Sequence, residues 1–156
     1  MRYDAFIHRE GSRVLAEFPD CPGCQTFAAG DEIAAMARDA LEGWLEAHLV
    51  GGKVPPRPIG RTRAPDGKRL IHVPIRAGLA AVLAIRRARQ DAGLSQAELG
   101  RRAGVSQQQI NKLEDPDENP KIETLEKVAR ALGLALDVNL IEAPRIELPP
   151  ARRRVR

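Results

Sequence analysis

The chain has few cysteines, few histidines and no long apolar run, and each shortage removes a class of function. With two cysteines there is one C-x-x-C, Cys21-Pro22-Gly23-Cys24, and no second one to complete a zinc site. A reducing cytoplasm keeps both thiols reduced. His8, His48 and His72 stand apart in the sequence, so no metal site is expected from them. No apolar stretch approaches the roughly 20 residues that span a bilayer. Nor does Met1 to Glu10, MRYDAFIHRE, resemble a signal peptide. The expectation is a cytoplasmic protein with no membrane partner. Its 156 residues, 43% of them hydrophobic, make one soluble domain or two small ones.

What the chain does have is charge, unevenly shared. Residues 1–60 carry six Lys/Arg against nine Asp/Glu; residues 61–156 carry nineteen against twelve. A basic second half fits a polyanion partner, and an acidic first half fits a separate, basic one.

Within the basic half, Leu94 to Glu114 reads LSQAELGRRAGVSQQQINKLE. Ser95 and Glu98 have the spacing of a capping box at a helix start. Leu99 and Ala103 share one face of that helix, and Gly104 supplies a left-handed turn residue. Val105 packs at the corner. Ser106 caps a second helix with Ile110 and Leu113 inside, which leaves Gln107, Gln108, Asn111 and Lys112 outside. This is the pattern of a helix-turn-helix, whose second helix enters the major groove. Glutamine and asparagine match adenine's donor and acceptor edge, and lysine offers charge to phosphate or guanine.

The stretch resembles the DNA-binding domain of the Xre/Cro phage-repressor family. The likeness rests on Gln96 at the opening, Gly104 at the turn and the buried pair Ile110 and Leu113. It implies that Gln96 touches phosphate and braces the recognition helix, with Gln107 as its neighbour. The DNA-binding set is therefore Gln96, Ser106, Gln107, Gln108, Asn111 and Lys112. Gly100 departs from the usual alanine, keeping a small residue where the helices cross at some cost in helix propensity.

Taken in order, Tyr3 to His8 and Ser12 to Phe18 read as strands joined by a hairpin at Arg9-Glu10-Gly11. Asp20 to Gly23 is turn material, and Cys24 to Ala28 is a third short strand. A helix follows, with Asp31 and Glu32 favouring its start. Its apolar stripe is Ile33, Met36, Ala37, Ala40, Leu41, Trp44, Leu45, His48 and Leu49, and Gly51-Gly52 ends it. Met36 and Trp44 read as core. Residues 53–68 form a Pro/Gly-rich connector to a strand at Arg69 to Ile75. A helix from about Ala77 to Gln90 opens the repressor-type domain, with Arg86, Arg87 and Arg89 supplying charge. After the helix-turn-helix, Ile122 to Leu132 is a further helix with Ile122, Leu125, Val128, Ala129 and Leu132 inside. Leu134 to Ile141, LALDVNLI, alternates as a strand does. A lone strand leaves its ladder groups unpaired, and pairing with the same strand of a second copy would satisfy them. The basic tail ending RRRVR is expected to be disordered.

The first half resembles the N-terminal domain of the HicB antitoxins. The matching residues are the turn Glu17, Phe18, Pro19, Asp20, Pro22, Gly23 and Cys24, then Ala37, Ala40, Leu41, Trp44 and Leu45. The likeness, with the repressor-type domain behind it, covers residues 1–140. It implies an α+β fold: an N-terminal partial RNase H-like β-β-β-α-β domain and a C-terminal all-α helix-turn-helix domain. The expected domains are 1–58 and 69–75, with the connector 53–68; 76–141; and the tail 142–156. The implied function is that of an antitoxin. It binds and covers a HicA-type mRNA-cleaving toxin and represses its own operator DNA, as a homodimer or tetramer. The toxin-facing candidates are Glu17, Phe18, Asp20, Cys24, Asp31 and Glu32. No catalytic residue, metal or other cofactor is expected. Three alternatives stand beside this reading. An active nuclease would need a carboxylate set holding two metal ions, and none can be placed among Asp4, Glu10, Glu17, Asp20, Asp31, Glu32 and Asp39. The C-x-x-C allows a redox or metal role. A stand-alone regulator with a ligand-sensing first half is the runner-up.

Overall fold

A computed structural model describes residues 1–141, so the expectation for the 142–156 tail lies outside the described residues. The elements run β1 (Arg2–Glu10), β2 (Arg13–Glu17), β3 (Gln25–Ala28), α1 (Ile33–Val50), β4 (Arg69–Pro74), α2 (Ala77–Asp91), α3 (Gln96–Ala103), α4 (Gln107–Leu113) and α5 (Ile122–Ala131). A short 3-10 turn at Gly30–Glu32 leads into α1. The fold is α+β, with an antiparallel sheet first and helices after it. Two compact units divide the described residues. One is Met1–Leu45 with Pro56–Ile75, the other Glu46–Pro55 with Arg76–Ile141. None of the described helices is long and apolar enough to cross a membrane.

In the first unit the sheet order is β3-β2-β1-β4, all antiparallel. Glu10 pairs with Arg13, so the hairpin loop is Gly11-Ser12, and Arg9 and Glu10, expected in the turn, belong to β1. Gly11 has φ +62, which the first position of a type II′ turn requires. Strand alternation sorts β1 onto two faces. Tyr3, Ala5 and Ile7 are fully buried on one, alongside Val14 and Ala16. The apolar row of α1, Ile33, Ala37, Leu41 and Leu45, is fully buried as well, and helix and sheet close on each other as two layers. That row advances in steps of four, so Met36 falls off it and is exposed, against expectation.

The opposite face carries Asp4 and Phe6, which are also buried. Their cover comes from the Pro/Gly-rich segment. The Arg61 N–H donates to Asp4 at 2.6 Å, its guanidinium donates to Asp20 at 2.7 Å, and Ile59 N–H reaches Asp20 at 3.1 Å. The guanidinium stands 5.8 Å from the centre of the Phe6 ring. His72, directly opposite Asp4 on β4, bonds the other Asp4 oxygen at 2.8 Å. Ile59 and Arg61 are therefore fastened to Asp4 and Asp20, and this part of the segment is not a loose linker. Two carboxylates with almost no exposure would be costly alone; the guanidinium and the backbone donors satisfy them.

The second unit has its own core of Ile85, Leu94, Leu99, Ile110, Leu113, Leu125 and Val128. Ile122, expected inside, is exposed. It is the first residue of α5, and a helical side chain leans back toward the N-terminus, which carries this one past the packed turn. Leu134 to Ile141 forms neither strand nor helix within the chain. The alternation is present, but among the described residues no neighbouring strand supplies a ladder.

Candidate nucleic-acid interface

Helices α3 and α4 are held by matching starts. The Ser95 hydroxyl accepts the Glu98 N–H at 3.2 Å, while Ser95 N–H donates to the Glu98 carboxylate at 2.7 Å. The Ser95 hydroxyl, donating to the Glu98 carboxylate at 2.7 Å, and then the Ser95 N–H hold that carboxyl below its usual pKa. The second box repeats the pattern with glutamine. Gln109 N–H donates to the Ser106 hydroxyl at 3.1 Å, and Ser106 N–H to the Gln109 side chain at 2.8 Å. The Ser106 hydroxyl is thus engaged as a cap. Gly104 takes φ +67, and the Val105 N–H returns to the Gly100 carbonyl at 2.9 Å. That return brings the backbone so close that a Cβ on Gly100 would lie 2.8 Å from the Val105 oxygen. An alanine at position 100 would therefore force the Val105 to Gln107 backbone to shift.

Behind the turn lies a polar relay. Glu114 is buried, and Arg89 grips it with two donors, Nε at 2.5 Å and Nη2 at 2.8 Å. The third Arg89 nitrogen, Nη1, donates to the Leu94 carbonyl at 2.7 Å. The bond to Glu114 raises the arginine's pKa further. Gln96 Nε2 donates to the same carboxylate at 3.1 Å, and Gln96 Oε1 accepts from Asn111 Nδ2 at 3.5 Å. The Glu114 carboxylate thereby sets which way the Gln96 amide points. Gln96 engages Glu114 and Asn111, where Gln107 was the expected neighbour. Gln107, Gln108, Asn111 and Lys112 are exposed together on α4, and Arg101 and Arg102 are exposed in the last turn of α3.

Neither Arg89, which the sequence reading gives only as helix charge, nor Glu114 is among the candidate site residues. For Glu114 the signal was there. It follows Leu113 and stands four residues after Ile110, so it continues the inner face of α4 at the helix's C-cap. Arg89 reads as surface charge, and only the fold brings it to a partner 25 positions away.

The toxin-facing candidates divide by burial. The Glu17 to Cys24 turn is closed by Phe18 N–H to Cys24 O at 3.1 Å, Cys21 N–H to Phe18 O at 3.0 Å and Cys24 N–H to Cys21 O at 2.9 Å. Phe18, Asp20 and Cys24 point inward and build the turn. Glu17 is half-buried and paired with Lys68; Asp31 and Glu32 are exposed. Phe6, Glu17, Phe18, Pro19, Cys24 and Gln25 line a shallow depression of about 370 Å³ beside the turn. Among the described residues Cys21 and Cys24 form no disulfide, and both are buried. The Cys24 thiol donates to the Ala40 carbonyl at 3.6 Å, and burial pushes its pKa up to about 11. That opposes the thiolate that redox chemistry needs. Among the described residues no group of three or more His, Cys, Asp or Glu is placed to hold a metal ion. In the acidic corner, Asp4 and Asp20 close on a guanidinium.

Fold and site define the class: an α+β protein of two units, the second carrying a helix-turn-helix. A family model described as helix-turn-helix matches residues 85–139. The chain is 31% identical over 144 residues to Antitoxin HicB 1 of Photorhabdus laumondii subsp. laumondii, across 90% of this chain and 87% of that one. Antitoxin HicB 2 of the same organism is 28% identical over 141 residues, 88% of this chain and 95% of that one. The chain belongs to the HicB antitoxin family. Among solved structures, a chain of the HicA3 and HicB3 toxin-antitoxin complex is similar at 27% identity and TM-score 0.44, over 49% of this chain and 99% of that one.

Proposed function

We propose that this protein neutralises a HicA-type mRNA-cleaving toxin through its first unit and represses its own operon through the second, in the cytoplasm and without catalysis of its own. The observation that carries the reading is the 31% identity to an antitoxin across nine-tenths of the chain, joined to an exposed polar face on α4. In the DNA-bound state Gln107, Gln108 and Asn111 read base edges, and Gln96 and Lys112 hold phosphate. Ser106 supports them by starting the helix. Two copies set two such helices about 34 Å apart on a palindromic operator. Toward the toxin, Asp31 and Glu32 offer accessible acidic groups, while Glu17 is half-buried and paired with Lys68. Phe18, Asp20 and Cys24 maintain the turn that follows Glu17.

The test is co-expression with the adjacent small open reading frame, one partner tagged. Co-elution, and growth arrest by the small protein that this chain relieves, support the antitoxin reading. A partner that neither binds nor is relieved overturns it. Operator binding is measured separately, by shift of a fragment from upstream of the pair.

A further inference from the structure

The polar side chains behind the turn form a chain with one direction. Arg89 donates to Glu114 through Nε and Nη2, Gln96 donates to Glu114 through Nε2, and Asn111 donates to Gln96 through Nδ2. The direction is forced at its source. A carboxylate accepts and does not donate, so the Gln96 amide can meet it only with its nitrogen. A flipped Gln96 would set Oε1 against a carboxylate oxygen, two acceptors face to face. Its Oε1 is thereby turned to α4, and Asn111 can meet that oxygen only with its own nitrogen. Two amides in series carry the polarity of a core acid out to the surface. Glu114 is 4% exposed, Gln96 is half-buried and Asn111 is exposed.

We infer that Glu114 is a positioning residue for base reading: acting through Gln96, it holds the Asn111 amide so that α4 demands an exocyclic amine, that of adenine, at one operator position. With Nδ2 held to Gln96, Oδ1 is the group left to accept from a ligand. In the major groove adenine N6 and cytosine N4 are donors, whereas guanine O6 and thymine O4 are acceptors. Asn111 Nδ2 keeps a second hydrogen, and adenine alone puts an acceptor, N7, next to its amine. An asparagine free to turn over could offer Nδ2 in the same place and take guanine or thymine as well. The discrimination therefore lies in the hold on the amide, and that hold begins at a buried side chain. Gln96 Nε2 also keeps a second hydrogen, enough for a phosphate. The inference rests on the reading of α4 as the recognition helix. It adds which base Asn111 takes and what fixes the choice.

The experiment is selection of sites from a pool of randomised duplex DNA by the full chain and four variants, each checked for folding by far-UV circular dichroism. Base preferences are counted by sequencing. Asn111→Ala is expected to lose preference at one position, which marks the base that Asn111 reads. There the wild type is expected to prefer adenine over guanine by about tenfold or more. Gln96→Met cuts the chain while leaving the Arg89–Glu114 pair whole, and is expected to drop that preference to about twofold with other positions unchanged. Gln96→Lys can donate to Glu114 but has no acceptor, so it meets Asn111 only at Oδ1 and turns Nδ2 outward. Its preference at that position is expected to invert to guanine or thymine. Glu114→Gln, assayed below its melting temperature, is expected to relax the same position and no other. The two Gln96 variants decide the matter even where Glu114→Gln does not fold. Adenine preference that survives both of them, or a loss in Glu114→Gln spread evenly over all positions, overturns the inference. A wild type that selects guanine where Asn111 reads overturns it too. A wild type that selects no sequence at all overturns the reading of α4 beneath it, and the inference with it.

Discussion

Changing Glu114 to glutamine alters few atoms and removes one charge from the buried pair. Glutamine keeps the shape but turns one acceptor into a donor, so an N–H₂ then faces Arg89 Nε or Nη2, which stood at 2.5 and 2.8 Å from carboxylate oxygens. Arg89 keeps its charge with only 12% of its side chain exposed. Removing one member of a buried pair in this way costs about 3–5 kcal/mol. Whole domains are stable by only about 5–15 kcal/mol, so the loss is a large share of what holds the unit. At a urea slope of about 1 kcal/mol/M, the midpoint of the second unit falls by roughly 3–5 M. The assay is urea unfolding of the full chain by far-UV circular dichroism, with Trp44 fluorescence as a separate report on the first unit. The double variant Arg89→Met with Glu114→Leu removes both charges together and loses less than Glu114→Gln alone. A loss below about 0.5 kcal/mol in Glu114→Gln, the size expected of an exposed pair, would refute the reasoning.

Gly100→Ala gains roughly 1 kcal/mol of helix propensity but meets the Val105 oxygen at 2.8 Å. We expect a net destabilisation of about 1–3 kcal/mol by thermal melting, as for other overpacked sites. Asn111→Ala is expected to weaken operator binding by about 1–3 kcal/mol and to relax preference at one base position, read by gel shift on substituted operators. Cys24, with a pKa of about 11 against an ordinary 9.0, stays a neutral thiol in the fold. It should resist iodoacetamide at pH 8 and react fully in urea, as counted by mass spectrometry. The raised folded value means that its contribution to stability is complete below pH 9 and is lost as pH climbs toward 11.

The sequence disclosed what depends on near neighbours. Ser95, Glu98, Gly104 and Ser106 could be assigned because caps and turns are settled within four residues, and the structure has each in place. The β-β-β-α-β order was legible from alternation and turn chemistry. What was hidden depends on distance along the chain. Arg61 reads as linker charge until the chain returns to Asp20, 41 positions earlier. Met36 and Ile122 fit an apolar period, but a period does not say which edge of the stripe faces solvent. Leu134 to Ile141 has a strand's pattern, and a pattern cannot show where the second strand comes from.

The Arg89–Glu114–Gln96 relay bears on how such a domain can be given a new target. Positions 107, 108, 111 and 112 stand free of the core and can be exchanged as a set. Positions 89, 96 and 114 form a frame whose members are useful only together. On the proposed reading of α4 as the recognition helix, a helix grafted there from a repressor reads its operator only if it ends in an acid where Glu114 stands. Without that acid, the graft folds around an arginine with nothing to hold and presents its first glutamine at an unfixed angle.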